Sequence, residues 1–219
     1  NIFKLDSDPV KAAQMHCNKH VIKMRVELNQ MLANAYYMGL GVTKWKQVQN
    51  NDHILSEVYS RFEDFPRIAD GIISPYKPSH WNHPSSIWVR ETRGNWDWLL
   101  KLGLALCDEK DVRYPQNVNN EQKSQTVMMW MKENPPYSYL PNDTSVTPIP
   151  LAGPDIYNIT DDPIMNYRIL YTFGKAHLHD YGHRKMPDFI FQVFSKYKDK
   201  ILDQIEMNPT LEKYQQQNV

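Results

Sequence analysis

An all-α fold is what this sequence predicts: a compact single-domain bundle of about five to six helices joined by long proline-rich loops. Three observations predict it. Helix starts recur as an acceptor side chain followed by proline, at Asp8-Pro9, His83-Pro84 and Asp162-Pro163, where the missing proline N–H costs nothing. Apolar residues after each start return at helical spacing, and no proline or glycine interrupts the chain from Val10 to Met38. The 219 residues also suffice to bury one core without disulfide support.

Taken in order, Asn1 to Leu5 alternates weakly and reads as extended. The first helix then starts at Asp8-Pro9 and runs about 30 residues, with Gly39 and Gly41 as its stop. Residues 42–79 read as a surface excursion, with a helix around Asp52 to Phe65 and a turn-rich approach through Ser74-Pro75-Tyr76-Lys77-Pro78. A second long helix follows His83-Pro84-Ser85, carrying Trp88, Trp96, Leu99, Leu102 and Leu106 until Tyr114-Pro115, with Gly94 and Gly103 as weak points or close-packing points. Asn120 to Glu133 forms a third helix. Six prolines between 135 and 154 exclude regular structure there and predict an ordered wrap or a lid. Asp162-Pro163 opens a helix to about His179. Pro187 to Met207 forms the last, with Phe189, Ile190, Val193, Phe194, Tyr197 and Ile201 on its buried side, before a frayed terminal dozen.

Composition excludes several function classes. Basic and acidic residues balance at 25 each, against the basic excess of proteins that coat nucleic acid, although a locally basic cleft remains compatible with that sum. Two cysteines fit a reducing compartment, so a cytoplasmic protein is expected, in the host cytoplasm for a viral one. The longest apolar runs, such as Leu102 to Cys107, fall short of the roughly 18 residues that span a bilayer. Phosphate-cradling glycine loops, C-x-x-C and H-E-x-x-H are all absent, so neither a cofactor nor a metal is expected; Cys17 and Cys107 read as space-filling thiols.

The first helix has one polar stripe too many. At 100° per residue His16, His20, Lys23, Glu27, Gln30 and Asn34 fall within about 80° of arc. Gln14, Asn18, Arg25 and Asn29 already supply a polar face opposite, and the apolar flanks, Val21 to Ala35 on one side and Ile22, Val26 and Ala33 on the other, predict a sandwiched helix. The stripe therefore either lines a cleft or forms a buried network, or else it is a second solvated face with a modest Lys23–Glu27 pair. Two histidines beside a lysine and a glutamate supply titratable groups useful near neutral pH. His16 and His20 also stand at metal-ligand spacing, with His80, His83, His177, His179 and His183 as further partners, but without a zinc motif.

A second constellation, Tyr76-Lys77-Pro78-Ser79-His80-Trp81-Asn82-His83-Pro84 leading into Trp88, Arg90 and Arg93, suits a phosphate or base edge at a helix N-terminus, or plain capping by His83 and Asn82 with Trp81 packed beneath. A third, Tyr167, Arg168, Tyr171 and Lys175, shares one helix face and mixes aromatic with basic residues as nucleic-acid contact surfaces do; packing plus solvated charge is its alternative.

Ala12-Ala13-Gln14-Met15-His16 with Lys23-Met24-Arg25-Val26-Glu27-Leu28 resembles the first helix of the phage pyrimidine dimer DNA glycosylase (endonuclease V) family and its uncharacterised bacterial relatives. Asn82-His83-Pro84-Ser85-Ser86-Ile87-Trp88 and Gly103-Leu104-Ala105-Leu106-Cys107-Asp108-Glu109 are similar to the second block of those relatives. The resemblance makes 1–114 a family-like core within one domain over 1–219, with 115–219 adding helices and the proline-rich wrap. It implies a helical fold whose terminal α-amine, here that of Asn1 where the family has threonine, attacks the sugar C1′ of a damaged nucleotide to form a Schiff base. Glu27 would be the catalytic carboxylate, with Arg25 and His16 at the positions of the family's arginine and histidine. Ideal helix geometry sets Arg25 on the face opposite Glu27.

The resulting expectation is a base-excision enzyme, a glycosylase with associated lyase chemistry acting on damaged or modified DNA. Asn1, Glu27, Lys23 and His16 would be catalytic. His20, Arg25, Gln30, His80, Asn82, His83, Arg90, Tyr167, Arg168, Tyr171 and Lys175 would hold substrate. The alternatives are a transferase on modified bases or nucleotides, and a non-catalytic nucleic-acid-binding module.

Overall fold

A computed structural model of the chain describes residues 2–39, 41, 53, 60, 67–68, 72–73, 76, 79–117 and 123–207. Seven helices lie among these residues: α1 (Pro9–Gln14), α2 (Asn18–Met38), α3 (Pro84–Glu91), α4 (Arg93–Arg113), α5 (Lys123–Glu133), α6 (Pro163–Gly174) and α7 (Asp188–Met207). Short 3-10 turns sit at Pro115–Asn117, Asp155–Tyr157 and Ala176–Leu178. The only strand pairing among the described residues is β1 (Arg67–Ile68) with β2 (Ile72–Ile73), antiparallel. The fold is all-α, as predicted. Most of the helix expected over Asp52–Phe65, the turn through 74–78, Asn120 and the last dozen residues lie outside the described residues.

The count exceeds five to six because both long helices break. The first breaks at Met15–Cys17, where tertiary partners take the backbone groups that a continuous helix would use. The Arg113 guanidinium donates to the Gln14 and His16 carbonyls at 3.0 and 2.8 Å and to Asn18 Oδ1 at 3.1 Å. Cys17 N donates to the Tyr171 hydroxyl at 2.7 Å and Asn18 N to the Asp180 carbonyl at 2.7 Å. The second breaks at Thr92, whose extended backbone lets Oγ1 accept from Asn95 N at 2.9 Å as an N-cap while donating to the Ser145 carbonyl at 2.7 Å.

The predicted starts cap as read. Asp8 accepts from Val10 N, Asp162 from Ile164 N, and His83 Nδ1 from Ser85 N. Helix α4 is central, packed on α1, α2, α3 and α5, and its Trp96, Leu99, Leu102 and Leu106 are fully buried. The proline-rich segment is a wrap. It crosses the α3–α4 junction, where Trp88 Nε1 donates to the Thr147 carbonyl, Asn95 bridges to Thr147 and the Tyr137 hydroxyl donates to Asp97. A Cβ at Gly94 would collide with the Thr144 and Ser145 carbonyls of that wrap, and one at Gly103 with the Met128 sulfur of α5; both glycines are close-packing points.

Two burial expectations are corrected. Helix α2 is not sandwiched along its whole length: Ile22 and Val26 are exposed beside Lys19 and Lys23, while Asn29, read as solvent-facing, is fully buried and donates to the Ser124 carbonyl of α5. On α7, Phe194 is 40% exposed, stacking on Phe173 at the edge of the core.

Candidate active site

The N-terminal segment is what places this site. Ile2, Phe3, Lys4 and Leu5 are all buried. Arg168 of α6 anchors the segment by donating to the Leu5 carbonyl at 2.7 Å and to Asp6 at 3.2 Å, and Trp98 Nε1 donates to the Ser7 carbonyl. The Lys4 ammonium lies over the rings of Trp88 and Trp98, at 5.3 and 4.9 Å, a cation–π clamp that tolerates a buried lysine. Burial lowers its pKa.

The chain thus runs backward through the bundle to a cleft of about 410 Å³. Phe3, Lys19, His20, Lys23, Met24 and Glu27 line it on the side of the N-terminal segment and α2; His80 and His83 come from the turn before α3, and Lys175 and Leu178 from the turn after α6. Such a volume suits a nucleotide-sized molecule. Three lysines face one carboxylate, so the cleft is basic within a chain of balanced charge.

Glu27 is the only acidic residue in that lining, and its side chain is 18% exposed. Lys23 pairs with it at 2.9 Å one helical turn away. Burial pushes the Glu27 carboxyl up; hydrogen bonding and positive charge, Lys23's among them, outweigh it and hold the carboxyl below the ordinary range. Asn1 itself lies outside the described residues. Two peptide units, about 7 Å of chain, join it to Phe3 in the cleft wall.

His20 is held on two sides. Its ring stacks on Phe3 at 4.6 Å, and Nδ1 shares a hydrogen bond with the buried Tyr171 hydroxyl at 2.9 Å. That hydroxyl also accepts from Cys17 N at 2.7 Å. Burial, then the positive charges of His16, Lys175 and Lys23, lower the His20 pKa to about 3, against the opposing Glu27. His83 accepts from Ser85 N at Nδ1 and is likewise shifted down, by burial first and also by the positive charge of His80. His80 has φ 52°, an unusual left-handed backbone for a residue with a side chain, in the turn that His83 N closes onto its carbonyl.

Of the residues singled out in the sequence, His20, Lys23, Glu27, His80, His83 and Lys175 gather in this cleft. The others stand elsewhere. His16 is fully buried in the α1–α2 break, where Nδ1 donates to the Ala12 carbonyl at 2.6 Å. Arg25 donates to the Val21 carbonyl and neighbours Cys107 of α4, on the far side of α2. Gln30 is half-buried and Asn34 buried; the latter donates to the Ser79 carbonyl and ties down the histidine turn. Asn82 is exposed on that turn. Arg90 lies 4.0 Å over the Trp81 ring and donates to its carbonyl, bracing the same turn from below. Tyr167 is core, its hydroxyl donating to the Pro150 carbonyl, and Tyr171 is core behind His20. Phe3, Lys19, Met24 and Leu178 were not singled out as site residues; only the crossing of the N-terminal segment with α2 and the α6 turn assembles them.

Among the described residues no group of three histidine, cysteine or acidic side chains is placed to hold a metal, and no helix is long and apolar enough to cross a membrane.

The buried histidines set a pH dependence. His16 is lowered to about 4, by burial first and then by Arg113, partly offset by its bond to the Ala12 carbonyl. His179 is also lowered, mainly by burial. A folded pKa below the unfolded value of about 6.5 means that the unfolded chain takes up protons first. The stability is therefore fully present above pH ~6.5 and lost as pH falls toward 4. Urea unfolding should give a lower free energy at pH 5 than at pH 7, above the range in which carboxylates titrate. A flat or rising profile would contradict these burial assignments.

Comparison of the chain with known protein families, curated proteins and solved structures found no match.

Proposed function

We propose that the cleft is the active site of a DNA base-excision enzyme, a glycosylase with associated lyase chemistry, in which the α-amine of Asn1 is the nucleophile and Glu27 its proton acceptor. The observation that carries this reading is the setting of Glu27: a lone carboxylate on the wall of a basic, nucleotide-sized cleft that Phe3, two residues from Asn1, also lines. An α-amine has a reference pKa of about 7.7 to 8.0, so a useful fraction is unprotonated at neutral pH.

In the proposed reaction the amine lone pair attacks C1′ of the target nucleotide, and the C1′–base bond breaks. The base leaves with the bonding pair and is protonated by solvent. Glu27 takes the proton released by the nitrogen and returns it to the ring oxygen as the sugar opens, leaving a protonated Schiff base between the amine and C1′. The neutral His83 ring, whose Nδ1 accepts from Ser85 N, offers Nε2–H as a donor without competing for the proton. Reaching C1′ requires the nucleotide to be unstacked from a duplex.

Borohydride reduction during incubation with abasic or damaged duplex should trap a covalent protein–DNA adduct when Asn1 carries a free amine, and none when one residue is added before Asn1. An adduct that forms equally with the extended chain excludes the amine. Turnover of a modified base insensitive to that extension but lost on changing Lys23 or a cleft histidine favours the transferase alternative.

A further inference from the structure

The donors of the cleft are unevenly used. Lys23 is engaged with Glu27 at 2.9 Å, whereas Lys19 from α2 and Lys175 from the end of α6 bring two more ammonium groups to the same lining. His20 stands in that lining too, near enough to Lys175 to feel its charge, with Nδ1 engaged by the Tyr171 hydroxyl. The turn that carries Lys175 is fixed in place: Leu178 N donates to the Lys175 carbonyl at 2.8 Å and His179 Nε2 bonds the Tyr171 carbonyl at 3.0 Å. Lysine ammonium groups are donor-only and positively charged, so together they match a group with several acceptor oxygens and negative charge. Phe3 and Leu178 leave an apolar surface next to them, suited to the face of a deoxyribose.

We infer that the part of the cleft between His20, Lys19 and Lys175 is a phosphate subsite that holds the phosphodiester flanking the reacting sugar of a DNA strand. The inference rests on the proposed nucleotide-binding role of the cleft and adds how the strand is held there.

A duplex containing a tetrahydrofuran abasic analogue tests this without the amine chemistry, because the analogue has no leaving base and no aldehyde. Binding is followed by fluorescence anisotropy, with the flanking phosphates either ordinary or replaced one at a time by uncharged methylphosphonates. Wild-type protein should lose about tenfold in affinity for one methylphosphonate position. Lys175→Gln should weaken the ordinary duplex by a similar factor, reduce the salt slope by about one, and respond little to the same replacement. Lys19→Gln should act the same way at the surface of α2, and circular dichroism verifies that both variants are folded. The inference is overturned if wild type is indifferent to methylphosphonate at both flanks, if Lys175→Gln stays as sensitive as wild type, or if the duplex is not bound. Inorganic phosphate serves as the second probe: competition by it without any methylphosphonate effect assigns the subsite to a free monoester and overturns the strand assignment. Failed borohydride trapping with the charge dependence intact removes the amine mechanism alone, and successful trapping without it removes the subsite alone.

Discussion

Glu27→Gln is expected to reduce the rate of Schiff-base trapping by about 10²- to 10⁴-fold, the usual contribution of a positioned proton-transfer group, while the protein unfolds at close to the wild-type temperature. The substitution keeps the size and shape of the side chain and removes only the charge and the basicity. Its stability cost is small because the Lys23 partner is 67% exposed, and solvent screens such a pair to roughly 0–1 kcal/mol. Pairing single-turnover trapping with thermal melts of both proteins separates the two roles. A non-catalytic binding module would show the reverse pattern, a change in stability or affinity with no turnover to lose. Full trapping activity in a folded Glu27→Gln protein would remove this carboxylate from the chemistry.

Arg113→Met is expected to carry the largest stability effect. The guanidinium is 2% exposed and gives hydrogen bonds to the Gln14 and His16 carbonyls, to Asn18 and to Glu109. Glu109 keeps Arg184, which reaches both carboxylate oxygens at 2.7 and 3.3 Å, but that partner is 39% exposed. Removing Arg113 leaves buried carbonyls unsatisfied and takes the fully buried partner out of the Glu109 ion network, for which about 3–5 kcal/mol is typical. Urea unfolding measures the loss directly, and Arg184→Ala should cost less. A change below about 0.5 kcal/mol for Arg113→Met would mean that the α1–α2 break is held by other groups. The same variant should blunt trapping, because the break sets the first turn of α2, which carries Lys19 and His20 into the cleft.

Much of the fold was legible because it is written in local chemistry. Asp8-Pro9, His83-Pro84 and Asp162-Pro163 cap helices by side-chain and proline effects that act within three residues, and the prolines of 135–154 exclude helix wherever the chain lies. The breaks at Met15–Cys17 and Thr92 were not legible. Nothing near Cys17 in sequence disfavours helix; the disruption comes from Arg113, Tyr171 and Asp180, about a hundred residues or more away. The break also explains why the polar stripe splits. His16 precedes α2 and turns into the core, whereas His20, Lys23 and Glu27 keep helical register and reach the cleft together.

Residue spacing alone determined that His20, Lys23 and Glu27 share one helix face, because an α-helix repeats every 3.6 residues regardless of its neighbours. Which way that face looks was decided by tertiary structure. Packing α4 and α5 against the other side of α2, burying Asn29, turned the stripe toward the N-terminal segment. The threading of Ile2 to Leu5 between α2, α4 and α6, held by Arg168 and the Trp88–Trp98 clamp, then set Phe3 into the cleft wall with Glu27. Such contacts join residues up to 163 positions apart, and no periodicity in a linear sequence encodes a meeting at that separation.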